Sequence, residues 1–558
     1  MSNAAIFFHP DGFDTSAPKL MGRQAAGESF LRGFLTHAKV DKLYFWNWST
    51  LPNETCDAMV RRVAQPSTPI DWIKRNQFPR LAEPGCVFIS SPANSQEAWN
   101  RRVLGPNRYS LCSLTHTTAS QGAMDAMAGL LTAPVEPWDA TICTSRAVTA
   151  SVRLQLQMTM EYLRERFGPV REPPVRLETI PLGVNCADYA RNEAHRADWR
   201  RRLGIADDDI VVLYVGRFSM HAKMHPVPMA MALERAARRT RRKIHWVLAG
   251  WSNNEYLYDI WRRAGPDHAP SVSMHMLDGR RPEVRFPIWS AGDVFLSLSD
   301  NIQETFGLTP VEAMAAGLPN VVSDWDGYRD LIQHGVEGFR IPTLAPRPGL
   351  AGDLAIFHGN NWESYDHYVG MASQFVSVDI DAAADALLRL FENDDLRLRM
   401  GEAGRRRAET VFDWRNIIPR YQALWAELAA IRNAAPAKPA GGLSPWRPDP
   451  FTLFSPYPTE ALSRTAVIAA APQAAVADAQ AFLQHPSVGY IAWCLLNADE
   501  VALGMGQLQA RGPMTVAEFV QAFAPHRRGV AERSVLWLAK YGFVTLSPRP
   551  DVSDGQGG

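Results

Sequence analysis

Short apolar runs alternate with longer stretches of helical period through the first three-quarters of the chain. "AAIFF", "KLYFWN", "CVFIS", "SLCSL", "ATICTS" and "VRLETIP" are compact and rich in Val, Ile, Phe and Tyr, as buried strands are. Amphipathic segments such as "TASVRLQLQMTMEYLRERFG" lie between them. This alternation predicts parallel strands joined by crossover helices. The rhythm breaks at "IPLGVNCADY" (180–189), and a second series runs through "DIVVLYVGRF", "KIHWVLAG", "SVSMHM", "DVFLSLS" and "PNVVSD". The pattern predicts an α/β chain with two doubly wound, Rossmann-like domains in tandem, joined near 185–200. Such sheets bind ligands at the carboxyl ends of their strands, so two facing ones form a cleft.

A helical stretch from about 380 to 432 ends in "IIPRYQALWAELAAIR", and "NAAPAKPAGGLSPWRPDP" follows with five prolines in eighteen residues. That composition predicts a semi-rigid linker. Beyond it the pattern is mainly helical. Its last part, "TVAEFVQAFAPHRRGVAERSVLWLAKYGFVTL", predicts a helix, a turn, a helix stopped by Gly542 and a short strand, a winged-helix-like arrangement whose aromatics Trp493, Phe519, Phe523, Trp537 and Tyr541 are expected mostly in its core. The tail "SPRPDVSDGQGG" is expected to be disordered.

With 558 residues the chain is too long for one core. Lys+Arg and Asp+Glu both number 58, so the broad basic field that nucleic acid requires is missing. The six cysteines (Cys56, Cys86, Cys112, Cys143, Cys186, Cys494) form no CxxC pair and read as reduced thiols in a cytoplasmic protein. No apolar window is long enough to span a bilayer, and no leader is visible; peripheral membrane contact stays open.

The chemistry concentrates in "ETFGLTPVE" (304–312). Thr309-Pro310-Val311-Glu312 reads as a capping box, with Thr at the N-cap, Pro at the first helical position and Glu at N3. The alternative is a ligand site. Glu304 stands past the strand "VFLSLS", and Phe306, Gly307 and Leu308 offer backbone amides near a helix N-terminus, where phosphate is attracted. Cations for such a phosphate stand in "YVGRFSMHAK", where Arg217 follows a strand and Lys223 lies six residues on. His221 and His225 have metal-like spacing but overlap this loop, and no metal is expected. Asp324/Asp326 and Asp379/Asp381 read as turn and cap residues. GxSxG, HExxH, GxxxxGK[ST] and a first-strand GxGxxG are all missing.

With these residues in hand, the chain resembles the family 4 glycosyltransferases of GT-B fold over about residues 1 to 430. The likeness rests on "SDNIQETFGLTPVEAMAAGLPNVVSDWDGYRDLI", "GRFSMHAK", "IPLGVN" and "TICTSRAV". It implies a retaining, metal-independent hexosyl transfer from a nucleotide sugar, UDP- or GDP-linked, with no cofactor. Arg217 and Lys223 would hold the diphosphate, Glu304 the transferred sugar and Glu312 the ribose, with the amides of Phe306, Gly307 and Leu308 closing around the donor. "LMGRQAAGESFLRGF" resembles the family's glycine turn and implies Gly27 as a backbone phosphate contact; Ala26 departs from the paired glycines usual there. His116 in "SLTHTTAS" stands where the family often places a histidine near the donor sugar.

The expected division is 1–190, an acceptor-side domain; 191–432, a donor-binding domain with a returning C-terminal helix; 433–450, linker; 451–546, an accessory helical domain; and 547–558, tail. The acceptor could be a glycan, a lipid-linked glycan, a protein or a peptide. Two other classes compete: a catalytically inactive glycosyltransferase-like scaffold, and a sugar-nucleotide sensor acting through the C-terminal module. Nucleic acid is disfavoured because Arg511, Arg527, Arg528, Arg533 and Lys540 are few and partly balanced by acids.

Overall fold

Strands form where β-branched and aromatic residues cluster in runs of four to eight, and the parallel order follows from the helices between them. The computed structural model describes residues 3–14, 22–92, 94–252 and 254–547. The first sheet contains β1 (Ala5–Phe8), β2 (Leu43–Asn47), β3 (Ile70–Lys74), β4 (Cys86–Ile89), β5 (Ser110–Thr115), β6 (Ala140–Cys143) and β7 (Arg176–Thr179) in the order β3-β2-β1-β4-β5-β6-β7. Every pairing is parallel. The second sheet contains β8 (Ile210–Arg217), β9 (Ile244–Trp251), β10 (Ser273–Asp278), β11 (Val294–Ser297), β12 (Asn320–Ser323) and β13 (Gly338–Ile341), ordered β10-β9-β8-β11-β12-β13 and also parallel throughout. Strand order reverses between β1 and β4 and again between β8 and β11. Those two switch points are where an open parallel sheet leaves a crevice.

Two strands were not legible in the apolar pattern. β3 (IDWIK) and β13 (GFRI) lie at sheet edges, where only one neighbour hides each strand. In β3 only Ile73 is fully buried, so no apolar run announces it.

The chain passes from the first sheet domain to the second at 180–190 and returns at 412–414. The passages pair: the Val184 amide donates to the Phe412 carbonyl at 2.8 Å and the Trp414 amide to the Val184 carbonyl at 3.1 Å. The helix Trp414–Ala434 then lies on the first domain. Trp414 meets Phe30 edge-on at 5.6 Å, and Tyr421 and Trp425 meet Phe88 at 5.4 and 5.9 Å. A side chain at Gly33 or Gly183 would put its Cβ 2.4 or 2.5 Å from the Trp414 ring, so the two glycines make the slot that holds it.

The semi-rigid linker expected over 433–450 is docked on the first domain in its first half. Lys438 pairs with Glu136 at 2.5 Å and lies 5.3 Å from the Trp138 ring centre; its amide donates to Asn107 at 2.9 Å, and the Gly441 amide donates to the Arg102 carbonyl at 2.8 Å. The compact unit that holds both sheets therefore extends to Ser444, and a second unit begins at Pro445.

In that second unit the expected helix, turn, helix and strand are present, with Arg528–Lys540 ended at Gly542 (φ +75°) before Val544–Leu546. The unit is not only helical, however. Val467–Ala470 is the middle strand of a three-stranded antiparallel sheet, flanked by Met514–Thr515 and Val544–Leu546. Phe519, Phe523 and Trp537 are core, whereas Trp493 is 83% exposed, contrary to expectation. The tail expected to be disordered lies, beyond Ser547, outside the described residues.

Candidate active site

The loops leaving β8 and β11 meet at the second sheet's switch point. Arg217 closes β8, and Lys223 follows on the turn that precedes the helix Pro226–Ala237. Glu304 stands in the loop after β11, ahead of the helix Leu308–Ala315. Lys223 Nζ donates to Glu304 Oε2 at 3.4 Å, and the amides of Thr305 and Phe306 approach Oε1 at 3.3 and 3.4 Å. Burial raises the Glu304 carboxyl, but the Lys223 ammonium and these amides outweigh it and hold the group below its ordinary value. Glu304 is therefore an anion at any pH near neutrality.

The capping-box reading of Thr309 to Glu312 is not what forms. Helix Leu308–Ala315 starts two residues earlier, with Gly307 at its N-cap in left-handed conformation (φ +102°) and no side-chain cap. A Cβ on Gly307 would lie 2.2 Å from the Tyr328 ring, so both the φ and the ring demand glycine. Glu312 instead accepts a hydrogen bond from the Tyr189 hydroxyl at 2.8 Å. Burial pushes its carboxyl up to about 6, against the Tyr189 bond and the charges of Arg285 and Lys223, which pull it down. The amide of Phe306 faces the Glu304 carboxylate, and its ring is buried against Phe412. Leu308 and Thr309, opening the helix, carry N–H groups that have no intrahelical acceptor.

The first domain reaches this loop from across the cleft. The Thr305 hydroxyl donates to the His116 carbonyl at 3.2 Å, and the Thr144 hydroxyl donates to the Thr305 carbonyl at 3.0 Å. His116 thus comes to the residue beside Glu304 through its backbone. Gly27 does not serve as a phosphate contact. It lies inside the helix Gly22–His37, past the first turn where free N–H groups are found. The carbonyl of Gly12 would be 2.0 Å from its Cβ, which makes it a packing glycine. Part of the glycine-turn motif, residues 15–21, lies outside the described residues.

Several site residues escaped the sequence reading. Asp326 is a non-glycine residue at φ +42° whose carboxylate accepts from the Ser145 hydroxyl of the first domain at 3.2 Å. Burial and the nearby Glu304 charge push it up to about 7. Asp326 stands in a turn, as expected, but the turn also carries it to the first domain; Asp379 caps the helix Ile380–Glu392 as expected. Four buried polar atoms on these loops have no hydrogen-bond partner among the described residues: Thr117 Oγ1 after β5, Arg217 Nε at the end of β8, and Asp300 Oδ1 and Gln303 Oε1 after β11. Such atoms also occur elsewhere, at Trp46, Tyr421 and Gln507 among others, so here they give the crevice a polar lining with hydrogen-bonding capacity to spare. Arg217 was already expected from its motif; Asp300, Gln303 and Asp326 lie in the quoted loop stretch without carrying a signal of their own, and only the fold brings Thr117 to them. Among the described residues no group of three or more His, Cys, Asp or Glu could hold a metal ion.

Two facing Rossmann-like domains, with cations and carboxylates gathered at a switch point, define a protein of the GT-B architecture. Residues 195–346, most of the second sheet domain, match the family model "Glycosyl transferases group 1". Among curated proteins the chain is similar to an uncharacterized glycosyltransferase of Methanocaldococcus jannaschii, 29% identical over 31% of this chain and 43% of the relative. It is also similar to the D-inositol 3-phosphate glycosyltransferase of Corynebacterium glutamicum, 24% identical over 49% of this chain and 57% of the relative. The chain thus spans about half the length of these relatives. Among solved structures, Anabaena HepE in complex with UDP aligns at a TM-score of 0.49 and 14% identity, over 76% of this chain and 100% of that one. No helix among the described residues is long and apolar enough to cross a membrane.

Proposed function

We propose that this chain transfers a sugar from a UDP- or GDP-linked donor to an acceptor hydroxyl, with retention of anomeric configuration and without a metal. The observation that carries the reading is the meeting of Arg217, Lys223, Glu304 and Glu312 at one switch point, on loops that also hold unpartnered buried polar atoms. In this reading Arg217, Lys223 and the N-terminus of the helix Leu308–Ala315 face the diphosphate. Charge builds on its oxygens as the C1–O bond breaks, and fixed donors in a sheltered crevice stabilise that charge without reorganising. The ionised Glu304 accepts hydrogen bonds from sugar hydroxyls, and Glu312 from the ribose. The acceptor oxygen bonds to C1 on the face the phosphate leaves, and its proton passes to the departing phosphate oxygen. His116 lies beside the sugar. The acceptor is a glycan, lipid-linked glycan, protein or peptide. Six unpaired cysteines favour a reducing compartment such as the cytoplasm.

A donor screen over UDP-, GDP- and ADP-sugars, reading nucleotide release, tests this. One donor should be hydrolysed slowly by the wild-type chain and not at all by Glu304→Ala, whose melting curve should stay cooperative. Release by neither chain, with nucleotide binding intact, would favour the sensor instead.

A further inference from the structure

Tyr189 belongs to no strand and to no motif read for chemistry, yet its hydroxyl makes the one side-chain contact to Glu312 described above, at 2.8 Å. Its ring is held from two sides, edge-on against Phe286 at 5.5 Å and Trp289 at 5.7 Å. The short helix Cys186–Tyr189 that carries it is fixed in turn: Asp188 takes two hydrogen bonds from the Arg32 guanidinium, at 2.5 and 3.0 Å, from the first domain. The phenol therefore cannot swing far from the carboxylate.

We propose that Tyr189 is a positioning residue for ribose recognition: its hydroxyl occupies Oε1 of Glu312 and so presents Oε2, in a fixed orientation, to the ribose hydroxyls. The inference rests on the reading of Glu312 as the ribose ligand. Two physical effects follow from the one bond. A carboxylate held at one oxygen loses less rotational freedom when a ligand takes the other. A phenol O–H also stabilises the anion, the form that accepts two ribose hydroxyls. The other groups whose charge reaches Glu312 are Arg285 and Lys223, both cationic and both favouring the same form. Arg285 faces Tyr189 as well, and Asp188 stands beside it.

Tyr189→Phe keeps the ring packing and removes only the hydroxyl. Calorimetry with UDP, GDP and ADP and with their nucleosides, from pH 5 to 8.5, reads the effect. Losing the ordering that this bond imposes on the carboxylate predicts binding about five- to tenfold weaker at pH 7, less than the loss of a direct contact to the ligand. The loss should be equal for diphosphate and parent nucleoside, because it arises at the ribose. The acid limb of binding should move to higher pH, since the removed bond lowers the Glu312 pKa. Unchanged affinity and an unmoved acid limb in Tyr189→Phe, with loss appearing only in Tyr189→Leu, would reduce Tyr189 to packing and overturn the proposal. Wild-type chain that binds none of these nucleotides would instead defeat the donor reading. In that case the pH dependence of melting without ligand still judges Tyr189. In Tyr189→Phe the pH span over which stability falls as Glu312 ionises must extend upward, and an unchanged span overturns it.

Discussion

At the scale of single residues, Lys223 has two partners to serve. It already faces Glu304 at 3.4 Å, and a donor diphosphate must share it. Among the described residues Arg217 enters no comparable pair, and its Nε is buried without a hydrogen-bond partner. Arg217→Ala and Lys223→Ala should each weaken nucleoside diphosphate binding about ten- to hundredfold while leaving nucleoside binding near wild type, because charge-assisted contacts to phosphate are worth roughly 1.5–3 kcal/mol. Calorimetry with both ligands checks this, and equal losses would indicate misfolding. The two glutamates separate in pH. Glu304 is held below its ordinary pKa and Glu312 is raised to about 6. Donor binding should therefore fall as pH drops through about 6, where Glu312 takes up a proton and can no longer accept two hydroxyls. The sign for stability is opposite. A carboxyl raised in the folded state favours the fold while protonated, so this contribution fades as pH rises from the unfolded value, near 4.5, through 6. The acid limb of kcat/KM should disappear in Glu312→Gln together with much of the binding.

At the scale of elements, the loop from β11 to the helix Leu308–Ala315 depends on one glycine. Gly307→Ala meets the Tyr328 ring and adopts a φ of +102°, costing about 1–2 kcal/mol for the backbone alone. Turnover should vanish and the melting temperature should drop, both of which thermal scans and the donor screen would show. The sequence marked this loop because Glu, Phe-Gly and Pro carry local signals. It misplaced the helix start because Thr-Pro-Val-Glu satisfies the capping rule by composition, while Tyr189, more than a hundred residues upstream, takes the Glu312 side chain. The same limit explains the other gaps. Edge strands such as β3 need little apolar surface, so periodicity passes over them. Asp326 and Ser145 become neighbours only when the two sheets face each other. The stretch around Gly27 resembles a glycine turn that would meet phosphate, yet the residue sits inside a helix and serves close contact with Gly12. Central strands and the charged loop motif were legible; contacts made across the cleft were not.

At the scale of the whole molecule, the boundary of the sheet-bearing unit fixes where the chain can be cut. A chain ending at Ser444 keeps the Lys438–Glu136 pair and the bonds to Asn107 and Arg102, whereas one ending at Asn433 loses them all. Both should fold, because the aromatic face of the helix Trp414–Ala434 is retained. The longer should be more stable by about 1–2 kcal/mol. Denaturant unfolding of the two compares them directly, and equal midpoints would mean that the docked segment is idle. Ending near Arg415 removes Tyr421 and Trp425 from the first domain and should give aggregates. The two passages between the sheet domains, joined at Val184 and Asp413, also limit how those domains can move. A single cord lets two bodies swivel in any direction, but two cords laced together behave like the pins of a door. The free rotation left is a swing about the line they share, which opens and shuts the cleft while resisting twist. Cutting one cord by proteolysis should leave the halves attached and turn the door into a loose flap, so that substrate still enters but the loops carrying Glu304 and His116 no longer meet in register.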